Sequence, residues 1–139
     1  MRRHVYQTRC STDPERLYRA LADIRRWPDW DGDLEWTRID GPVATGARFS
    51  LKPRGGPKVA MRIEAAQAPH RFVDVASLPL ARMRTVHEFA AGERETLVTI
   101  VIEVFGPLAF LWDRLVARKQ TAGTPGQTQR LIAFAEARP

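Results

Sequence analysis

The sequence predicts an α+β fold: a seven-stranded, largely antiparallel sheet with helical segments after the first strand and at the C-terminal end. Three observations carry this prediction. Turn signals recur closely between residues 34 and 105 and leave no room for crossover helices, so successive strands must pair antiparallel. A helix start, Ser11-Thr12-Asp13-Pro14-Glu15, follows the first strand pattern directly. A long apolar stripe begins at Leu108.

The elements follow in order. Residues 4–10 alternate and carry strand formers. Asp13 is placed as an N-cap and Pro14 as the first helical residue. Leu17, Tyr18, Leu21 and Ile24 then recur at helical spacing, and Arg25-Arg26 suit the negative end of the helix. Next comes Trp27-Pro28-Asp29-Trp30-Asp31, expected to form a rigid aromatic corner. Proline fixes φ there, and each indole buries a large area while its N–H still needs a partner. Six strands are expected at Leu34–Asp40, Ala47–Lys52, Lys58–Ala66, Arg71–Ser77, Met83–Ala90 and Thr96–Phe105. In the last strand Val98, Ile100, Ile102 and Val104 share one face, which should point inward. In the strand before it, Met83, Thr85, His87 and Phe89 form the expected inner face. Gly106-Pro107 opens the C-terminal helix, whose stripe is Leu108, Leu111, Trp112, Leu115 and Val116, followed by Leu131, Phe134 and Ala135. Pro125, between Gly123 and Gly126, predicts a kink or break near 119–126, because an interior proline costs roughly 3 kcal/mol.

Composition narrows the classes. The 139 residues fit a single domain over 1–139, and 44% hydrophobic content is enough for a core. No apolar run approaches the roughly 20 residues of a membrane span, so no stable membrane insertion is expected. With no apolar signal-peptide core at the start, a cytoplasmic location is expected. The net charge of +6 invites a nucleic-acid partner, yet the arginines are scattered, only Lys52, Lys58 and Lys119 are lysines, and no nucleic-acid motif accompanies them. No nucleic-acid partner is therefore expected. Cys10 is the single cysteine, so no internal disulfide forms, and a thiol on a strand reads as a small buried hydrophobe. No histidine pair has zinc-ligand spacing. Asp29, Asp31, Asp33 and Glu35 suggest a calcium loop, but Leu34 and Asp40 stand where such a loop needs glycine and glutamate. No cofactor or metal is implied.

In this order, with Thr12-Asp13-Pro14-Glu15, the tryptophan corner, His87-Glu88-Phe89 with Gly92 to Thr96, and Gly106-Pro107-Leu108, the chain resembles the START-like helix-grip superfamily over nearly its whole length. Within it, the chain looks like the polyketide cyclase/dehydrase and lipid-transport branch often labelled SRPBCC. The resemblance implies a curved antiparallel sheet wrapped around the long C-terminal helix, two short helices after the first strand, and a cavity between sheet and helix. It also implies binding of apolar or aromatic molecules, lipid transport, or cyclisation of polyketide chains. The family has no universal catalytic motif, so no catalytic residue carries over. The Gly123 to Gly126 stretch departs from the continuous helix of the family and suggests a hinge or an entrance.

The expected ligand-binding residues are Trp30, Trp36, Phe49, Phe72, Met83, Thr85, His87, Phe89, Ile102, Leu111 and Leu115. Pockets are mostly apolar with a few placed polar groups, and so are plain cores. His87 is the one catalytic candidate: an imidazole on the inner face can orient a carbonyl or move a proton, or simply be satisfied by a neighbour. His4 and His70 read as strand-start and turn residues. Three functions stay open: a binder of a small apolar or aromatic molecule, a cyclase or aromatase using His87, and a partner-binding module, a homodimer included, that uses the exposed sheet face.

Overall fold

The computed structural model describes residues 1–138. Seven strands, β1 (Arg2–Cys10), β2 (Leu34–Arg38), β3 (Arg48–Pro53), β4 (Val59–Gln67), β5 (Arg71–Leu78), β6 (Ala81–Ala91) and β7 (Thr96–Phe105), form one antiparallel sheet. Its order is β1-β7-β6-β5-β4-β3-β2, so β1 and β2 are the edges. All seven expected strands are present, with boundaries shifted by no more than two residues.

Helix α1 (Pro14–Ala22) begins as expected. The Asp13 carboxylate accepts from the Arg16 N–H at 2.8 Å, and Pro14 occupies the first turn. A 3-10 turn (Ile24–Arg26) leads into the short helix α2 (Trp27–Trp30), so the tryptophan corner is itself one helical turn. The C-terminal helix α3 comprises Ala109–Trp112, a π-helical stretch Asp113–Ala117, and Arg118–Ala137.

Register fixes two faces. Antiparallel partners point to the same side of a sheet. One row runs His4, Ile102, Thr85, Asp74, Ile63; the next runs Tyr6, Ile100, His87, Phe72, Ala66. These, with Met83, Phe89, Val98 and Val104, form the concave face on which α1 and α3 pack. Leu17, Leu21, Phe72, Phe89 and Val104 are almost wholly buried there, each burial contributing about 1.5–3 kcal/mol. The convex face carries the Arg84 network, with Glu64 at 2.6 Å and Glu103 at 3.5 Å. It also holds a small apolar cluster of Ala65, Val73, Val86 and Val101.

Three expectations need correction. Trp36, expected to line the interior, pairs with Lys52, while its neighbour Thr37 pairs with Leu51 on the Phe49 side. An irregularity between Leu34 and Trp36 breaks the alternation, and a bulge of one residue moves the following side chain to the other face. Leu115 is 56% exposed. The π-helical stretch, closed by the Arg118 N–H donating to the Asp113 carbonyl, widens the helix by one residue per turn. Asp113 and Ala117 take the inward positions that 3.6-residue spacing assigns to Leu115. The break expected near 119–126 is absent: the helix runs through Pro125. Ala122, Gly123, Pro125 and Gly126 are exposed, so the proline ring lies on the solvent side of the helix, and Thr124 Oγ1 donates to the Gln120 carbonyl at 2.9 Å. The change in helix type lies instead at the π-helical stretch.

Gly106 sets the departure of α3 from β7. Its φ is +112°, and a Cβ there would lie 2.9 Å from the Ala81 Cα and the Leu80 carbonyl oxygen, both backbone. Gly106→Ala is therefore expected to cost at least about 1 kcal/mol, read as a lower denaturation midpoint in urea. An unchanged midpoint would show that the β5–β6 turn yields freely.

Candidate functional site

The concave face is apolar except for a small polar group at its centre. Asp74 sits mid-strand in Phe72-Val73-Asp74-Val75-Ala76 and is only 5% exposed. Its carboxyl accepts no hydrogen bond among the described residues, and burial alone pushes its pKa up to about 7. Directly across the β5–β6 ladder is Thr85, and one step along is His87. Burial pushes the His87 pKa down to about 4, offset in part by its bond to the Phe72 carbonyl. The Nδ1–H donates to that carbonyl at 3.2 Å, which leaves Nε2 as an unprotonated acceptor. His87 and Thr85 are both half-buried and keep accessible surface beside the buried Asp74.

A second polar contact anchors the helix over this face. His4, at the far end of the Asp74–Thr85 row, bonds through Nε2 to Asp113 Oδ1 at 2.6 Å. Burial of Asp113 opposes ionisation, but His4 and Arg118 outweigh it and hold the carboxyl below its ordinary range. His4 thus has a structural task that its position at a strand start concealed.

The tryptophan corner closes the other end. Trp27 donates its indole N–H to the Leu21 carbonyl at 2.7 Å and meets Phe49 edge-on at 5.5 Å. Gln127 donates to Asp31 at 2.8 Å, and the Arg130 guanidinium donates to the Trp30 carbonyl at 3.1 Å, so α3 is stapled to the corner. Burial raises the Asp31 pKa, and the Gln127 bond works against that rise. The Trp30 indole N–H is buried with no partner among the described residues. The acidic residues here do not converge: Asp29 pairs with Arg26 and Glu35 with Lys52.

Of the residues expected to bind a ligand, Phe49, Phe72, Met83, Thr85, His87, Phe89 and Ile102 share the concave face, and Trp30 is buried in the corner. Leu111 is half-buried at the start of α3. Trp36 and Leu115 lie elsewhere, as described above. Asp74 was missed. The signal was present: a lone acid in an apolar strand, two residues from Phe72 and Ala76 and hence on their face.

A separate cavity of about 590 Å³ opens outside this face, lined by α1 residues including Tyr18 and Arg19, by Ala68-Pro69 and by Arg138. The Tyr18 ring packs edge-on against Phe72 at 6.1 Å, and Phe72 in turn meets the His87 ring at 6.3 Å. Those two aromatic side chains stand between the groove and the polar group.

No sequence-family profile matches the chain, and no curated protein does. Solved structures match over its whole length. Protein MLL2253 from Mesorhizobium loti is 19% identical, with a TM-score of 0.79 and 99% of each chain covered. A truncated norcoclaurine synthase from Thalictrum flavum is 10% identical, with a TM-score of 0.77, covering 99% of this chain and 95% of that one. The di-domain ARO/CYC BexL from the BE-7585A biosynthetic pathway is 15% identical, with a TM-score of 0.72; it covers 99% of this chain, which spans 51% of that one. The fold is the START-like helix grip. In this helix grip the sheet curves around α3, and the Asp74 group sits on the gripping face. Among the described residues no helix is long and apolar enough to cross a membrane.

Proposed function

We propose that this START-like helix-grip protein binds a small apolar or aromatic molecule, lipid-like or polyketide-like, between the concave sheet face and α3. The observation that carries the reading is Asp74. A carboxyl that is 95% buried and without a partner is costly. It sits beside two polar side chains that keep accessible surface in an otherwise apolar wall, the composition of a ligand pocket. The likeness to norcoclaurine synthase and to ARO/CYC domains supports a ligand-holding use of this face.

Native mass spectrometry of gently purified protein tests the reading. The expected result is a stoichiometric small apolar adduct that is lost in Thr85→Trp, a variant that sets a bulky indole directly across from Asp74. An adduct retained at full occupancy in Thr85→Trp would place the ligand elsewhere.

A second reading is a cyclase or aromatase-type enzyme, and one observation favours it. With a pKa of about 7, Asp74 can both give and take a proton near neutrality, whereas His87 at about 4 stays neutral and accepts hydrogen bonds. In this reading Asp74 moves the proton, His87 orients the substrate, and confinement of a flexible chain supplies most of the acceleration. Turnover that survived Asp74→Asn unchanged would remove it.

A further inference from the structure

We infer that the molecule held on the concave face carries a primary ammonium group, seated on Asp74, Thr85 and His87. The inference rests on the binding reading above and names the chemistry of its ligand. Three observations support it. First, the three side chains form an acceptor set. The Asp74 carboxylate accepts, His87 Nε2 accepts because Nδ1–H is committed to the Phe72 carbonyl, and the Thr85 hydroxyl oxygen has free lone pairs. An ammonium has three N–H donors, one for each.

Second, the spacing suits a single small group. Asp74 and Thr85 are direct cross-strand partners, and Asp74 and His87 are diagonal ones, so their Cβ atoms lie within about 5 Å and about 8 Å. Third, among the described residues Asp74 has no protein cation. Arg62 and Arg84 flank it in the ladders but project from the convex side, where Arg84 bonds Glu64. On the concave side the nearest basic group in the same row is His4, two strands beyond Thr85 and already bonded to Asp113. A bound ammonium supplies the missing countercharge, and the low dielectric around it strengthens the pairing.

The test uses three naphthalene probes of matched shape on the full chain above neutral pH: 2-naphthylmethylamine, 2-naphthylmethanol and 2-acetonaphthone. Binding is followed by naphthalene fluorescence and calorimetry. The amine is expected to bind about tenfold or more tightly than the alcohol. Asp74→Asn is expected to erase that preference, so that amine and alcohol bind the variant within about twofold of each other. Should Asp74→Asn fail to fold, Thr85→Val reads the same seat, and the preference must fall by about threefold or more. Equal binding of amine and alcohol, or a preference that survives Asp74→Asn, overturns the inference and leaves the binding reading standing. Tighter binding of the ketone overturns it in favour of a protonated Asp74 that donates to a carbonyl. If folded protein binds none of the three, the binding reading fails with it.

Discussion

Asp74→Asn is expected to stabilise the protein by up to about 4 kcal/mol above neutral pH and to change little in strong acid. The sign follows from the raised pKa. In the unfolded chain the carboxyl titrates near 3.8; folded, it holds its proton up to about 7. Between those values the native state binds more protons than the unfolded state, so the contribution of Asp74 to stability falls as pH rises. It is fully present below 3.8 and gone above about 7. Asparagine has nearly the same shape and no charge to desolvate, so it escapes this fall.

His87 tilts the other way. Its pKa drops from 6.5 unfolded to about 4 folded, so the unfolded state binds the extra proton and stability rises with pH across that window. In the wild type the two slopes nearly cancel between about 4 and 6.5. Asp74→Asn should uncover the rise, and His87→Gln should uncover the fall. Urea denaturation of the wild type and both variants at a series of pH values reads this directly. Parallel stability curves for all three proteins would mean that neither group is desolvated as described.

Phe72→Ala should destabilise by about 3–5 kcal/mol, the range for removing a large aromatic side chain from a packed interior. Phe72 is wholly buried, and its ring touches both Tyr18 and His87. Its loss should do more than leave a hole. The ring contact that links Tyr18 at the groove to His87 would be lost, so a ligand of the concave face should enter and leave faster. Stopped-flow fluorescence with a naphthalene probe measures this, and Phe72→Leu serves as a smaller truncation that keeps most of the packing. A stability loss with unchanged association and dissociation rates would show that ligands do not pass by Phe72.

Much of this architecture was legible before any coordinates. Strand alternation in Met83 to Phe89 and Val98 to Val104 placed the inner face, because side-chain direction along a strand has a fixed period of two. Asp13-Pro14 announced α1 through groups that act within one turn. The errors have the opposite character. Trp36 is carried outward by a one-residue irregularity against β3. Leu115 is turned out where the π-helical stretch brings Asp113 inward to His4, more than a hundred residues away in sequence. Pro125 is accommodated on the solvent-exposed side of its helix. In the first two cases a contact with another element overrode a local rule; in the third, solvent exposure did.

The sequence by itself determined the number and order of strands, the cap and start of α1, the aromatic corner and the apolar faces, since each depends on neighbours a few residues apart. The tertiary structure alone decided that Asp74 is buried without a counterion beside Thr85 and His87, and that His4 reaches Asp113. The charge state of a side chain and the partner it finds depend on which strands and helices surround it, and that arrangement exists only once the sheet has closed over α3.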